Sequence, residues 1–410
     1  MITNDAVLFG ILALMLGGVF YTTSSANTFW KSFYKWVPAL LVCYFLPSLL
    51  NTFGLVNAEE SKLYFVASRY LLPASLLLLT LSIDFKRIIA LGPKALIMFL
   101  TGTTGIVIGG PIAIIIMSWI NPEVVGGHGP DAVWRGMTTV AGSWIGGGAN
   151  QAAMKEIYGV GDQMFSVMVT IDIIVANIWM AVLLFFAARS KQIDAKNGAD
   201  ASAITELQHT VEAFHKKHAR NPELSDLMKI VAVAFGVVGL AHFGADYISA
   251  AISSMDGMSN SSLGSQFFWL VVIATTCGLA LSFTRARQLE AVGASKVGSV
   301  FIYILVATIG LKMDVSAIAE TPAMFVVGGI WMLVHASLLL IVARIIKAPI
   351  FFLAVGSQAN VGGAASAPVV ASAFHPSLAP VGVLLAVLGY ALGTYAALLT
   401  GTLMQMVAPG

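Results

Sequence analysis

The chain has 410 residues, of which 58% are hydrophobic and only 10% are charged. Because soluble domains carry about 25% charged residues, this composition excludes a wholly soluble protein. The formal net charge of +2 argues against a nucleic-acid partner, and the two cysteines, both in apolar segments, give no sign of a disulfide framework.

Ten apolar stretches are long enough to cross a membrane, which takes about 20 mostly apolar residues in a helix. In chain order they lie near 5–22, 36–56, 63–83, 95–120, 163–188, 227–252, 266–284, 296–313, 322–346 and 378–406. The first follows a terminus without a basic residue, so we interpret it as a span rather than a cleaved signal peptide. The sequence therefore predicts an all-α integral membrane protein with ten transmembrane helices.

Two glycine-rich stretches interrupt the remaining apolar segments, which lie near 136–159 and 348–373. The first, at 142–151, reads GSWIGGGANQ, and the second, at 356–366, reads GSQANVGGAAS. Glycine costs a helix about 1 kcal/mol relative to alanine, so we expect both helices to break here. Non-helical backbone survives at membrane depth only where protein or a water-filled cavity satisfies its polar groups. Interruptions at corresponding places in two halves point to the binding site of a transporter.

The basic residues indicate whether the broken segments cross the membrane. If both turn back as re-entrant hairpins and the N-terminus is outside, 17 of the 22 Lys and Arg residues face the cytoplasm. Full crossing would place the basic linker outside, against the positive-inside rule. We therefore predict a first repeat over 1–188, a cytoplasmic linker over 189–226 and a second repeat over 227–410, with both termini outside.

The two halves resemble each other beyond their glycines. The third span ends in LSID at 81–84, and its counterpart ends in LKMD at 311–314, 230 residues later. Each half has five spans, an odd number, so the second half enters the membrane from the opposite side. Inverted repeats place their binding sites at the repeat interface near the membrane midplane. We therefore predict two inverted five-helix repeats, each with one glycine-rich hairpin.

With its Gly-Ser and Gly-Gly hairpins, its five-plus-five arrangement and its length, the chain resembles domain-of-unknown-function family 819, a bacterial membrane-protein family, over nearly its whole length. More distantly, the hairpins and the repeat are similar to those of sodium:glutamate symporters and the cation:proton antiporter/anion transporter superfamily. The resemblance implies an elevator-like secondary transporter, in which a moving core domain holds both hairpins. It identifies no substrate, because the hairpin side chains do not align with a glutamate site.

Broken helices expose peptide groups that can bind a solute. N–H groups at the N-termini of half-helices favour anions, and unwound carbonyl groups can coordinate a small cation. The candidate substrate site consists of the polar side chains and glycines of the two stretches: Ser143, Gly147, Gly148, Asn150, Gln151, Ser357, Gln358, Asn360, Gly362, Gly363 and Ser366. The alternative is that these polar groups only satisfy the broken backbone.

Asp172 lies within the span that follows the first hairpin. An acid at the bilayer centre costs at least about 2.5 to 3.5 kcal/mol on insertion scales, so we expect Asp172 to face the protein interior and to bind the coupling ion, Na⁺ or H⁺. Thr170 and Asn177, seven residues apart on one helix face, are further candidates for the ion site. A hydrogen-bonded packing acid is the alternative for Asp172. No cofactor is predicted beyond a possible Na⁺.

These features favour an ion-coupled secondary transporter for a small anionic organic solute, with a cation:proton antiporter as the alternative. Amides and hydroxyls on both hairpins suit a solute better than an exchanger, whose cavity commonly needs one or two acids. We do not predict an enzyme, because no pair of acids, nucleophile with base, phosphate-binding loop or metal-ligand motif occurs at a suitable spacing. We expect the protein in the lipid bilayer of the bacterial inner membrane, as a homodimer.

Overall fold

The computed structural model describes residues 2–37, 39–57, 60–199, 204, 222–254, 264–312, 322–375 and 378–409. In this part of the chain every regular element is helical, apart from one isolated bridge between Ile2 and Val56. In chain order the α-helices are α1 (Asp5–Thr23), α2 (Thr28–Trp36), α3 (Ala39–Thr52), α4 (Leu63–Leu81), α5 (Phe85–Ala90), α6 (Pro93–Ile120), α7 (Val133–Ile157), α8 (Asp162–Ala188), α9 (Ser190–Asn197), α10 (Leu224–Ser253), α11 (Gln266–Ser282), α12 (Ala294–Gly310), α13 (Ala323–Ile345), α14 (Ile350–Val361), α15 (Gly363–Phe374) and α16 (Ala379–Val407). The predicted all-α class is confirmed.

Among the described residues, seven helices are long and apolar enough to cross a membrane, namely α1, α4, α6, α8, α10, α13 and α16. An eighth span results if α11 is counted together with the 3-10 helix Arg285–Val292, which is bent away from it by 94°. The helices α3 and α12 are apolar but shorter, with 14 and 17 residues. The protein is therefore a multi-pass membrane protein.

The predicted span 36–56 is divided rather than continuous. α2 ends at Trp36 and α3 begins at Ala39. Val37 between them is extended, with φ −115° and ψ 102°, and it precedes Pro38 in the sequence. A proline has no N–H and clashes with a helical conformation of the preceding residue, which separates α2 from α3 at the start of this predicted span. The other nine predicted spans coincide with helices to within a few residues.

α7 doubles back on itself. Gly147 has φ 74° and ψ −174°, which divides α7 into two half-helices. The rings of Trp134 and Tyr158, near its two ends, lie 5.8 Å apart, and the Gly161 N–H donates to the Pro130 carbonyl at 2.9 Å. A straight helix of this length would separate its ends by about 36 Å. The two half-helices therefore lie side by side.

α14 and α15 form a second folded-back pair. α14 ends at Val361, and α15 begins at Gly363, whose φ is +57°. The rings of Phe351 and Phe374, at the far ends of the two helices, lie 5.2 Å apart. Glycine adopts positive φ without steric cost, so both chain reversals occur within the glycine-rich stretches, where the sequence predicts the breaks.

The two folded-back pairs open at opposite ends of α8. At its beginning, Asp162 accepts a hydrogen bond from Lys155 of α7 at 2.6 Å. Beyond its other end, Asp194 on α9 accepts the Ile350 N–H at the start of α14 at 2.8 Å. Because α8 has 27 residues and an α-helix rises 1.5 Å per residue, these two ends are about 40 Å apart.

Candidate functional site

The two breaks approach each other against α16. A Cβ on Gly389 would lie 2.5 Å from the Ile145 carbonyl oxygen and 3.7 Å from the Ala359 carbonyl oxygen. One turn further along, a Cβ on Gly393 would overlap the Cα of Gly146. Small residues let helix backbones approach this closely in membrane proteins. The glycines of α16 therefore bring the two glycine-rich stretches together inside the protein.

Asn150 ties the first break to α16. Its Nδ2 donates to the Gly146 carbonyl at 3.0 Å and to the Tyr390 carbonyl at 3.1 Å, and its Oδ1 accepts from the Thr394 hydroxyl at 2.6 Å. The side chain is fully buried. Both amide N–H groups are therefore in use, and Asn150 stabilises the break rather than offering donors to a solute.

Asn360 ties the second break to α6 in the same way. Its Nδ2 donates to the carbonyls of Phe99 and Gly356, both at 2.9 Å, and its Oδ1 accepts from the Thr103 hydroxyl at 2.7 Å. In each break, one buried asparagine donates a hydrogen bond to the preceding turn of its own helix. The same side chain also forms hydrogen bonds with a neighbouring helix, where it accepts from a threonine hydroxyl. For these two predicted site residues, the structure supports the alternative that they satisfy the broken backbone.

We expect Thr394→Val to destabilise the protein, because valine keeps the shape of threonine and leaves the buried Asn150 Oδ1 without its donor. An unsatisfied buried polar atom costs about 1 to 3 kcal/mol, which thermal unfolding in detergent will detect as a lower Tm. Thr104→Val is the matched control, since the exposed Thr104 hydroxyl bonds only the Leu100 carbonyl of its own helix. Equal shifts in the two variants would contradict the importance of this contact.

Ser357 belongs to a second buried network. His335 Nδ1 lies 3.0 Å from the Gly102 carbonyl oxygen, which is only an acceptor, so Nδ1 carries the proton. The unprotonated Nε2 then accepts from the Ser357 hydroxyl at 2.8 Å, and the Trp179 indole N–H donates to the same hydroxyl at 2.7 Å. The network links α6, α8, α13 and α14, and it satisfies every member with a neutral imidazole.

Asp172 is buried, as expected for an acid that faces the protein interior, and it contacts the first break. Its Oδ2 accepts from Gln151 Nε2 at 2.9 Å, and Gln151 Oε1 accepts from the Tyr44 hydroxyl on α3 at 3.3 Å. Ser143 and Trp144 are buried in the half-helix of α7 that leads to the first reversal. Two predicted residues, Gln151 and Asp172, therefore form one cluster together with Tyr44.

Across the described ranges, the Asp172 carboxyl forms no ion pair with a Lys, Arg or His side chain. Lys155 of the same hairpin is bonded to Asp162 instead. Burying an isolated charge is costly, so such an acid is either protonated or compensated by a bound cation. This cluster can therefore exchange a small cation or a proton.

Thr170 and Asn177 are not brought to Asp172. The Thr170 hydroxyl donates to the Ser166 carbonyl at 3.0 Å, and Asn177 Nδ2 donates to the Ile173 carbonyl at 2.7 Å. Both residues thus bond the preceding turn of their own helix. Among the described residues, no hydrogen bond links either of them to Asp172.

Two buried polar atoms of the breaks have no hydrogen-bond partner in the described part of the chain, Trp144 Nε1 and Gln358 Oε1. Gln358 Nε2 donates to the Ser366 hydroxyl at 2.6 Å, which holds Oε1 beside the first turn of α15. α15 begins at Gly363 without a side-chain cap, and a Cβ on this glycine would meet no atom within 4 Å. The second break therefore brings together the uncapped N–H groups of α15, the Gln358 Oε1 acceptor and the open space beside Gly363.

The remaining predicted glycines shape the two breaks. Gly147 and Gly148 are half-buried at the first reversal, where a Cβ would come no closer than 3.5 Å to another residue. Gly362 ends α14, and a Cβ there would overlap Ser366 and Gln358. Gly362 is therefore required for the Gln358–Ser366 contact, whereas Gly147 serves the reversal through its positive φ.

The family model described as "Protein of unknown function (DUF819)" matches residues 7–407. The chain belongs to this family. The DUF819 chain is similar to "Uncharacterized membrane protein YjcL" of Bacillus subtilis (strain 168), with 23% identity over 353 residues that cover 82% of each chain. The resemblance to the DUF819 family is thereby confirmed, whereas the more distant similarity to symporters and antiporters stays a prediction.

Sequence reasoning missed several residues of this DUF819 site, among them Tyr44, Trp144, Thr103 and Thr394. The hydroxyl groups of Tyr44, Thr103 and Thr394 are a signal that the sequence does contain, because hydroxyl groups in apolar helices usually bond a neighbouring helix. The sequence alone does not reveal which helix that is. Thr394 and Asn150 are 244 positions apart.

Proposed function

We propose that this DUF819 protein is an ion-coupled secondary transporter of a small anionic organic solute, driven by Na⁺ or H⁺ bound at Asp172. The supporting observation is that two folded-back, glycine-broken helices meet at α16, with a buried acid bonded to the first of them. Broken helices with their unwound backbone inside a membrane are the elements from which secondary transporters build their sites. In this proposal the protein moves its solute without changing it chemically, and it is not an enzyme.

We place ten spans and two re-entrant hairpins in the membrane, arranged as two inverted repeats, with α3 and α12 included among the spans. Contacts between residues assigned to one side support this topology. Arg287 bonds Asp84 at 2.7 Å on the proposed cytoplasmic side, whereas Arg69 bonds Glu156 at 2.8 Å on the outer side. Both termini are then outside the bacterial inner membrane. The second member of the repeat signature, at 313–314, and the linker residues 205–221 lie outside the described residues.

The second break is the proposed solute site. The uncapped first turn of α15 offers N–H groups, which favour the oxyanion of a solute, and Gln358 Oε1 can accept a hydrogen bond from an N–H or O–H of the same molecule. A small carboxylate that also carries such a donor satisfies both. Ser366 and Gly363 complete this side of the site, the first by holding Gln358 and the second by leaving space.

An elevator-like motion is the proposed mechanism of alternating access. Asn150, Asn360 and Ser357 bond the two hairpins to α6, α8, α13 and α16, so these elements are suited to move as one core. The helices α1 and α10 are only 17% and 28% buried over their most apolar windows. Their exposed apolar surfaces provide the area that a fixed scaffold needs for lipid and for the second subunit of a homodimer.

A cation:proton antiporter is the second candidate. The observation in its favour is Asp172, a buried acid of the kind that an exchanger needs, whose carboxyl group accepts a hydrogen bond from Gln151. An exchanger would move ions across the membrane in the absence of any organic molecule, which separates it from a symporter.

Reconstitution in proteoliposomes tests the two candidates. With an imposed Na⁺ or proton gradient, we expect one member of a panel of amino acids and carboxylates to accumulate, unmodified, above the level of protein-free vesicles. A pH-sensitive dye in the lumen records ion flux in parallel vesicles without solute. Cation-dependent dye responses with no accumulated solute would favour the antiporter, and no flux of either kind would contradict transport altogether.

A further inference from the structure

The second break contains a side chain that can determine the specificity for the solute. Resting on the proposed transport function, we propose that Gln358 selects a small 2-hydroxy carboxylate. The carboxylate group of this solute binds at the first turn of α15, and its hydroxyl group donates to Gln358 Oε1. The solute is then neither a plain carboxylate nor an amino acid.

Gln358 has a free acceptor in a buried position. The residue is 1% exposed, and its Oε1 has no hydrogen-bond partner among the described residues. The neighbouring oxygens are in use, because Asn360 Oδ1 accepts from Thr103 at 2.7 Å and the Ser357 hydroxyl accepts from the Trp179 indole at 2.7 Å. A solute with an O–H or N–H group would therefore satisfy Gln358 Oε1.

Gln358 is held at the beginning of α15. Its Nε2 donates to the Ser366 hydroxyl at 2.6 Å, and Ser366 lies in the first turn of this 12-residue helix. The first N–H groups of a helix have no partner within the helix, and α15 has no side-chain cap. Gly363 is buried, yet a Cβ on it would meet no atom within 4 Å. The acceptor, the uncapped donors and the unfilled space thus lie within about one helical turn, 5.4 Å.

This spacing sets the chemistry of the solute. The N–H groups of α15 favour a carboxylate. The hydroxyl group that reaches Gln358 Oε1 must then be close to this carboxylate, as it is in a 2-hydroxy acid. Gln358 and Gly363 are both buried, so the second break has to open before a solute can enter. The enclosed position favours a small solute.

Charge decides between a hydroxyl and an ammonium group as the donor. Residues 350–374 contain no Asp, Glu, Lys or Arg, and α16, which packs on both breaks, contains none either. Asp172 on α8 accepts from Gln151 of the first break, and in the described ranges no hydrogen bond or ion pair joins it to the second break. An ammonium group at Gln358 would therefore be buried without a counter-charge, which is costly. A hydroxyl group is neutral and avoids this cost.

Isothermal titration calorimetry on the full chain in detergent tests the inference. The probes are L-lactate, propionate and L-alanine, which share a three-carbon carboxylate and carry a hydroxyl group, no donor and an ammonium group, respectively. Titrations in NaCl and in choline chloride buffer at the same acidic pH make both candidate coupling ions available. We expect L-lactate to bind about tenfold more tightly than propionate, which forms one hydrogen bond fewer. We also expect L-alanine to bind more weakly than L-lactate.

Two variants assign this discrimination to Gln358. Gln358→Met keeps the unbranched shape and removes Oε1, so L-lactate should bind no more tightly than propionate. Gln358→Glu supplies a carboxylate for the ammonium group, so L-alanine should bind more tightly than L-lactate. Gln163→Glu is the control and should keep the wild-type order, because Gln163 is exposed at the beginning of α8. Size-exclusion chromatography checks the folding of each variant, and the wild-type order tests the proposal even if a variant does not fold.

Several results would overturn the inference. They are equal affinities of the wild type for L-lactate and propionate, binding of L-alanine as tight as that of L-lactate, no binding of any probe, and wild-type discrimination in folded Gln358→Met. Gradient-driven uptake in proteoliposomes separates this inference from the proposed function. Accumulation of a solute without a 2-hydroxy group, in preference to L-lactate, overturns the inference and supports transport. The expected order of binding without any accumulation supports the inference and contradicts transport alone.

Discussion

Asp172→Asn is expected to reduce gradient-driven solute accumulation in proteoliposomes to the level of vesicles without protein. Asparagine matches the shape of aspartate, and its amide oxygen can still accept from Gln151, so the buried cluster keeps this hydrogen bond. The variant cannot bind or release a coupling ion at this position. Uptake under an imposed gradient measures the loss, and size-exclusion chromatography with thermal unfolding checks that the protein remains folded.

The matched control is Asp246→Asn, which removes an exposed acid of α10 that bonds Gln266 away from both breaks. We expect this variant to retain most of the wild-type uptake. If Asp172→Asn transports as well as Asp246→Asn, Asp172 has no part in coupling and is only a hydrogen-bonded packing acid.

Gly393→Ala is expected to prevent α16 from packing against the first break. The added Cβ would overlap the Gly146 Cα and lie 2.8 Å from Asn150 Nδ2. Overpacking usually costs about 1 to 3 kcal/mol, and the cost should reach or exceed the upper end here because the obstructing atom is backbone and cannot rotate away. A fall in Tm and a loss of the monodisperse fraction in detergent measure the effect.

Gly329→Ala on α13 provides the comparison, because a Cβ there would meet no atom within 4 Å. It should leave the unfolding temperature unchanged or raise it, since alanine favours a helix over glycine by up to about 1 kcal/mol. Similar unfolding temperatures for the two variants would mean that α16 does not approach the break as closely as the structure has it.

Local chemistry accounts for much of what could be predicted. Long apolar stretches define the helices, because a chain in lipid must satisfy its backbone internally. The glycine clusters mark the chain reversals at Gly147 and Gly363, where positive φ is needed. The burial of Asp172 follows from the cost of exposing an acid to lipid. Pro38 likewise marks the separation of α2 from α3 at the start of the predicted span 36–56.

Tertiary packing decided which side chains bind one another. Asn150 and Asn360 look like solute ligands in the sequence, yet each is saturated by a threonine more than 240 positions away. Gln358 looks equivalent to them, yet its Oε1 has no hydrogen-bond partner among the described residues. The difference arises because a hydrogen bond needs a donor and an acceptor atom within about 3 Å of each other, and no local pattern specifies which two helices bring such atoms together.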